Sequence, residues 1–212
     1  YPWDSLICTS QSVKSNVETI FEIQSDFLKS HLGAQKIVLP KLPVIPLGVH
    51  SGEFIFTDQE VAEARQYFNA NSDTLIVIYF GRLSFHAKAH PFAMYKALQN
   101  ASLKTQKEIL LLQCGWFGND SIKKSFEEAS NLICPNVTVQ TIDGRLQENR
   151  KKVWASGDIF CSFSDNIQET FGITPIEAMS AGLPVVLSDW DGYRESVTNE
   201  EEGFLIPTHM PS

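Results

Sequence analysis

From Thr74 onward, short and almost wholly apolar runs alternate with longer segments whose apolar positions recur at helical spacing. The runs at 75–80, 109–113, 137–142, 159–163, 184–187 and 204–206 are rich in Val, Ile and Leu. Such runs suit strands buried on both faces, as in a parallel sheet covered by helices on each side. Between them the spacing predicts helices over 91–103, 121–132, 147–155, 174–181 and 193–198. Asn119-Asp120 supplies an N-cap ahead of Ile122, Phe126 and Ala129, which share one helical face. Gly182 can close the helix that ends at Ala181, and Pro184 then starts the next strand. Regular β-α-β alternation with short connections predicts an α/β fold, a doubly wound parallel sheet with right-handed crossovers.

The first 70 residues follow a different pattern. Residues 6–9 read as one strand, followed by a long helical segment from Ser12 to about Leu32. Pro40, Pro43 and Pro46 then suit an extended connector better than a central strand. Thr57-Asp58-Gln59-Glu60 begins another helix with a cap. Residues 1–45 are expected to be the tail of a preceding domain plus a linker, and 46–212 the main domain.

Composition narrows the function classes. A formal net charge of −8 argues against nucleic acid, whose phosphates require clustered Lys and Arg. Arg150-Lys151-Lys152 and Lys123-Lys124 are short and read as solvated helix faces. No apolar run approaches the roughly 20 residues that span a bilayer. Cys8, Cys114, Cys134 and Cys161 are scattered without CxxC spacing, which predicts buried free thiols and a reducing, cytoplasmic setting. The sequons at Asn100, Asn119 and Asn136 are then chance matches.

Candidate chemistry gathers where strands should end, the edge at which parallel α/β sheets bind ligands. Gly81-Arg82 follows the first strand, with Lys88 six residues further on. An Arg and a Lys at one point suit a diphosphate, the former by oriented paired hydrogen bonds and the latter as a compact charge. Phe171-Gly172-Ile173-Thr174 opens a helix whose free N–H groups can receive an anion or hydroxyl oxygen. Glu169 precedes that helix, and Glu177 is expected in its first turn. Two such acids could instead suggest glycoside hydrolysis, but that chemistry needs them flanking the scissile bond about 5–10 Å apart. No GxGxxG follows a strand, no Walker-type loop occurs and no serine nucleophile elbow is present. His86 and His90 are four apart without an acid to complete a metal set, so no metal site is expected.

In this order these segments resemble the retaining GT-B glycosyltransferases of family 4, the group 1 glycosyltransferases. Ser10-Gln11-Ser12-Val13-Lys14 is similar to the end of that family's N-terminal Rossmann-like domain, and Ile45-Pro46-Leu47-Gly48-Val49 with Phe54 to its inter-domain segment. Gly81-Arg82-Leu83 with Lys88 resembles its phosphate loop. Glu169-Thr170-Phe171-Gly172 through Glu177-Ala178-Met179 matches its E-x7-E motif, and Asp189 to Glu195 with Gly203-Phe204-Leu205-Ile206 its closing pattern.

The resemblance implies the C-terminal, donor-binding half of a GT-B fold. It would move a hexosyl group from a nucleotide-diphospho-sugar to an acceptor hydroxyl with retention. The donor, linked to UDP, GDP or ADP, would be a co-substrate, with no cofactor and no metal. Arg82 and Lys88, after Gly81, would hold the diphosphate. Glu169, with Phe171, Gly172 and Ile173, would orient the sugar, Thr174 would touch a phosphate and Glu177 would bind the ribose. Gly144, Arg145 and Leu146 would flank the base. The acceptor, a sugar, a lipid or another hydroxyl compound, would belong to an N-terminal domain that could also bring the protein to the cytoplasmic face of a membrane. On this reading the piece alone binds nucleotide weakly and does not catalyse transfer, and it stops at Ser212, short of the family's usual C-terminal helix. The loop from Ser84 to Ala87 and the following His90-Pro91 depart from the family's Gly-containing turn, which alters the phosphate loop. Two alternatives are a non-catalytic nucleotide-sugar-binding module and a GT-B sugar-nucleotide epimerase or phosphorylase.

Overall fold

The computed structural model of the chain describes residues 3–88, 90–166 and 169–208. Six parallel strands form one sheet: β1 (Leu75–Phe80), β2 (Ile109–Gly115), β3 (Val137–Asp143), β4 (Ile159–Ser162), β5 (Val185–Ser188) and β6 (Gly203–Ile206). Their spatial order is β3-β2-β1-β4-β5-β6, the doubly wound arrangement that the apolar runs predict. The order reverses between β1 and β4, so the loops after these strands diverge and leave a crevice at their carboxyl ends.

The helices are α1 (Gln11–Leu32), α2 (Asp58–Tyr67), α3 (Phe92–Thr105), α4 (Asp120–Ile133), α5 (Gln147–Ser156), α6 (Ile173–Ser180) and the single turn α7 (Tyr193–Ser196). Side chains alternate across the sheet. Ile76, Ile78 and Phe80 of β1 face Val153 and Trp154 of α5 and Ala178 of α6. Val77 and Tyr79 face Met94, Tyr95 and Leu98 of α3 and Phe126 and Ala129 of α4. Phe80 and Trp154 stack with ring centroids 4.0 Å apart. All four cysteines are buried free thiols. Burial pushes Cys114 and Cys161 up to about 12, which keeps these thiols protonated and inert.

Local chemistry accounts for the boundaries. Asn119 caps α4 through Ile122 N (2.9 Å), and Thr57 and Glu60 form a reciprocal capping box on α2. The edge strands β3 and β6 are each buried only at their first residue and otherwise half-buried or exposed, unlike the continuous burial that their apolar sequences suggest, because they lie at the margins of the sheet. The helix expected over 193–198 stops at Ser196, since Val197 turns extended and enters the core.

Residues 4–8 and 41–45 run parallel, but the strand expected over 6–9 reduces to bridges at Ser5–Lys41 and Cys8–Val44. Pro43 lacks an N–H and interrupts the ladder. Between these segments lies α1, none of whose residues is buried. Arg65 of α2 locks the opposite end of the sheet, bonding both oxygens of Asp158 (3.0 Å each) and the carbonyls of Ser156 and Thr74. Asp158 in turn accepts from Ile76 N at 2.7 Å.

Candidate functional site at the strand carboxyl ends

The loops leaving β1, β2 and β3 are stitched together above the sheet. Gly81 N donates to Cys114 O, Leu83 N to Trp116 O and Gly144 N to Gly115 O, at 3.0–3.1 Å. Gly115 is required here, since a Cβ at this position would lie 1.9 Å from Gly81 O. Gly115 belongs to no motif, and its place at the end of an apolar run is the signal the sequence offers for it. Leu83 is buried and anchors the loop, whereas the neighbouring Arg82 is exposed. Tyr79, beneath them, is held above the ordinary phenol range by burial and by the Glu169 carboxylate, against the opposing charge of Arg82.

Across the crevice, Lys88 Nζ donates to Glu169 Oε2 at 2.7 Å, with side chains 23% and 12% exposed. The two residues singled out on separate loops therefore meet at the switch point. Gly172 then opens α6 with φ +78°, and no side-chain cap follows it. A Cβ on Gly172 would lie 2.1 Å from Cε1 of Tyr193, so the turn needs glycine for both conformation and space. Tyr193 is buried, and its hydroxyl lies 3.1 Å from Ser162 Oγ. Burial and then the Glu169 charge raise its pKa. Phe171 and Thr174 are half-buried and Ile173 is exposed at the mouth of the turn. Glu177 is the fifth residue of α6, not in its first turn as expected, because the helix starts at Ile173.

The backbone of this acidic loop is also fastened from behind. Ser10, 2% exposed, donates to Thr170 O at 2.6 Å while its oxygen caps α1 through Val13 N. Glu195 of α7 accepts from Gln11 N (2.8 Å) and Ser12 N (3.0 Å). The start of α1 thus rests on the Glu169 loop and on α7. These contacts join residues more than 150 positions apart, and no local pattern announces them.

On the other side of the crevice Glu177 is buried enough to raise its pKa, against the opposing charge of Arg150. Arg150 Nη2 stands 3.8 Å from Glu177 Oε1. Arg150 is exposed, as expected of a solvated face, and stands in addition within ion-pair range of Glu177. Its phase was the available signal, since it lies one helical turn before the buried Trp154. Lys151 and Lys152 do pair at the surface, with Glu60 and Glu148. Lys123 and Lys124 do the same with Glu127 and Glu128 on α4. A groove of about 790 Å³ runs past Arg150, Lys151 and Trp154 to Glu53 and Phe54. A second, of about 510 Å³, is lined by Trp116, Asn119, Lys123, Asp143 and Arg145. Within it Arg145 turns back on Asp143 (Nη2–Oδ2 2.7 Å), which depresses that carboxyl to about 2. Leu146 is exposed between the two grooves. Arg145 and Leu146 thus lie on the β3 side of the site and do not join the Lys88–Glu169 contact.

Among the described residues, no three His, Cys, Asp or Glu side chains gather in a way that could hold a metal ion. No helix there is long and apolar enough to cross a membrane.

Comparison with known proteins agrees with this architecture. The chain is 23% identical over 212 residues to a D-inositol 3-phosphate glycosyltransferase of Corynebacterium kroppenstedtii, covering 99% of this chain and 43% of that protein. A 53-residue stretch, 24% of this chain and 14% of the relative, is 47% identical to the phosphatidyl-myo-inositol mannosyltransferase of Mycobacterium leprae. The chain thus spans less than half the length of these curated relatives. Among solved structures, Anabaena Alr3699/HepE in complex with UDP-glucose superimposes with a TM-score of 0.69 at 21% identity, over 95% of this chain and 49% of that one. A glycosyltransferase from Rickettsia africae does so with a TM-score of 0.70 at 17% identity, over 96% and 49%. At these identities the superpositions establish the fold alone, the doubly wound sheet of one half of a GT-B enzyme. The family model for glycosyl transferases group 1 matches residues 60–212, which include every strand of the sheet and both charged loops, and the chain belongs to that family.

Proposed function

We propose that this chain is the donor-binding half of a retaining hexosyltransferase that uses a nucleotide-diphospho-sugar. The observation that carries the reading is the meeting of Lys88 and Glu169 at the switch point, beside the uncapped start of α6. A nucleotide-sugar asks for cationic donors at its centre and hydroxyl-binding acids at both ends. Glu177 and Glu169 lie at the two ends of this arrangement.

In the proposed assignment Arg82 and Lys88 hold the diphosphate, with Gly81 and the Gly115 crest letting the backbone approach. The N–H groups of Ile173 and Thr174 and the Thr174 hydroxyl face a phosphate at the helix start. Glu169, with the backbone of Phe171 and Gly172, accepts from the sugar hydroxyls. Glu177 accepts from the ribose, and Gly144, Arg145 and Leu146 flank the base.

Transfer breaks the bond between the anomeric carbon and the β-phosphate oxygen. The nucleoside diphosphate leaves with the electron pair, and an acceptor oxygen bonds the same face of that carbon as its proton passes to the departing phosphate oxygen. Negative charge grows on the leaving diphosphate, so a preplaced Lys88 and Arg82 stabilise the transition state more than the bound donor. The chain supplies this positive charge itself, and on that basis we assign a metal-independent reaction with no cofactor. The acceptor is assigned to the part of the protein represented in the other half of its relatives.

Calorimetric titration with UDP-, GDP- and ADP-sugars tests the reading. Binding of one of them, lost in Glu177→Ala, is expected. Binding of none, or binding indifferent to Glu177→Ala, would refute the site.

A further inference from the structure

We propose that Asn166 is a positioning residue for Lys88, and that Trp190 holds Asn166 in place. The inference rests on the donor-site reading above and adds to it Asn166, which lies outside the family motifs, and a role for Trp190 within the closing pattern.

Asn166 joins both members of the Lys88–Glu169 pair through their backbones. Its side-chain Nδ2 donates to Lys88 O at 2.6 Å. Its own carbonyl accepts from Glu169 N at 3.0 Å and from the indole Nε1 of Trp190 at 3.1 Å. One residue therefore ties the loop after β1, the loop after β4 and the segment after β5 into a single frame. Trp190 is itself turned back by a bond from its N–H to Ser188 O (2.9 Å), and the Ser188 hydroxyl donates to Ser164 O. The frame is thus anchored in the carboxyl ends of β4 and β5.

The loop bearing Lys88 makes this fastening consequential. Its near end is secured by the Gly81 and Leu83 ladder bonds, five residues before Lys88. Between them the turn is closed locally by Lys88 N donating to Ser84 O at 3.0 Å. That bond fixes Lys88 to its own loop but not to the site. The bond from Asn166 does the latter. A lysine side chain carries about 2 kcal/mol of rotamer entropy, so its ammonium is only as well placed as its Cα. Holding the Lys88 carbonyl lets Nζ pass from Glu169 to a phosphate by side-chain rotation, with the loop unmoved. Pre-organisation of this kind acts on binding by lowering the ordering cost.

The test is a double-mutant cycle in the complete protein, with UDP as the probe and calorimetric Kd as the readout. Asn166→Ala is expected to weaken UDP binding about tenfold and Trp190→Phe about threefold, each with an unchanged melting temperature. In a Lys88→Ala background neither substitution should weaken binding further by more than about twofold, and the salt dependence of Kd should fall in Asn166→Ala as it does in Lys88→Ala. A merely structural role would make the losses additive and leave the salt dependence alone; either result overturns the proposal. If Asn166→Ala does not fold, Trp190→Phe carries the same cycle. Should Lys88→Ala itself leave UDP binding intact, the donor-site reading fails first and this proposal with it. Sensitivity to Lys88→Ala without sensitivity to Asn166→Ala overturns this proposal alone.

Discussion

In the structure Lys88 is already satisfied by a carboxylate, so on the proposed reading a donor diphosphate has to compete with Glu169 for it. The consequence is that Glu169→Gln should bind UDP more tightly than the unmodified protein, although a residue of the site has been altered. At 2.7 Å the pair's gross attraction is about 6 kcal/mol for an effective dielectric of 20. Desolvation of two largely buried ions offsets most of that. What remains is about 1.5–3 kcal/mol, the net worth of a charge-assisted hydrogen bond, against about 0.5–1.5 kcal/mol for a neutral one. Glutamine keeps the shape and one acceptor oxygen, so roughly 1 kcal/mol of competition disappears and UDP affinity should rise about fivefold. If Lys88 instead bridges Glu169 and phosphate, removing the acid relieves repulsion between two anions, and the sign is the same. UDP-glucose should respond differently. Its sugar hydroxyls lose the charged acceptor, so its advantage over UDP should shrink by about tenfold. Calorimetry with both ligands at low and high salt measures the two effects. Equal or weaker UDP binding by a folded Glu169→Gln variant would refute the competition, and an undiminished preference for UDP-glucose would remove Glu169 from the sugar.

Three further outcomes are expected. Burial raises the Glu177 pKa, and its ionised form is the stronger acceptor for a hydroxyl, so UDP-glucose affinity should be full above that raised value and decline as pH falls through it. The decline should begin above the value of about 4.3 usual for Glu and move to still higher pH in Arg150→Ala; a decline unmoved by that substitution would exclude the pairing. The same shift acts on the fold with the opposite sign, since a carboxyl whose folded pKa is raised contributes stability at low pH that is lost as pH rises through it. Gly172→Ala must adopt φ +78° and displace Tyr193, together costing about 3 kcal/mol, so melting should fall by roughly 6–12 °C and donor binding should be lost, as read by thermal melts and calorimetry. Arg65→Ala leaves Asp158 and the carbonyls of Ser156 and Thr74 without their guanidinium, and a comparable fall in melting is expected with donor affinity changed less than about twofold, because the lock lies at the amino ends of the strands.

The fold was legible because its signals are local. Apolar runs become strands wherever two helical layers can cover them, and Asn119, Thr57 and Gly182 end helices through bonds or backbone conformations their own residue types supply. The charged motif residues could be named for the same reason, since Lys88 and Glu169 each sit in the loop that follows an apolar run. What could not be read is what depends on strand order. That Lys88 touches Glu169 requires β1 and β4 to be neighbours, although β2 and β3 lie between them in sequence. Arg150 was hidden by its basic neighbours, because a run of like charges reads as one solvated face while only one of its members turns toward Glu177. Tyr193, Asn166 and Ser10 act through backbone carbonyls or packing, and such partners leave no spacing rule in the chain.

The distribution of helix caps separates scaffold from site. Ser10, Thr57 and Asn119 spend their side chains on the first turns of α1, α2 and α4. Among the described residues α3, α5, α6 and the single turn α7 begin at Pro91, Leu146, Gly172 and Gly192 without a side-chain cap. The first three are the longer helices that follow β1, β3 and β4, whose loops carry Lys88, Arg145 and Glu169. A good cap is worth about 0.5–2 kcal/mol, so leaving three helices uncapped forgoes several kcal/mol of stability. The omission is intelligible if the N–H groups at α5 and α6 are left for the acceptor oxygens of a ligand, which then supplies the missing cap on binding. The contrast with α1 sharpens this. Its N-terminus lies against the back of the Glu169 loop, where Ser10 and Glu195 occupy its N–H groups, and it serves to brace that loop. Helix ends of one kind are therefore used in two ways within a few residues of each other: satisfied where they carry load, and open where the donor is expected to lie.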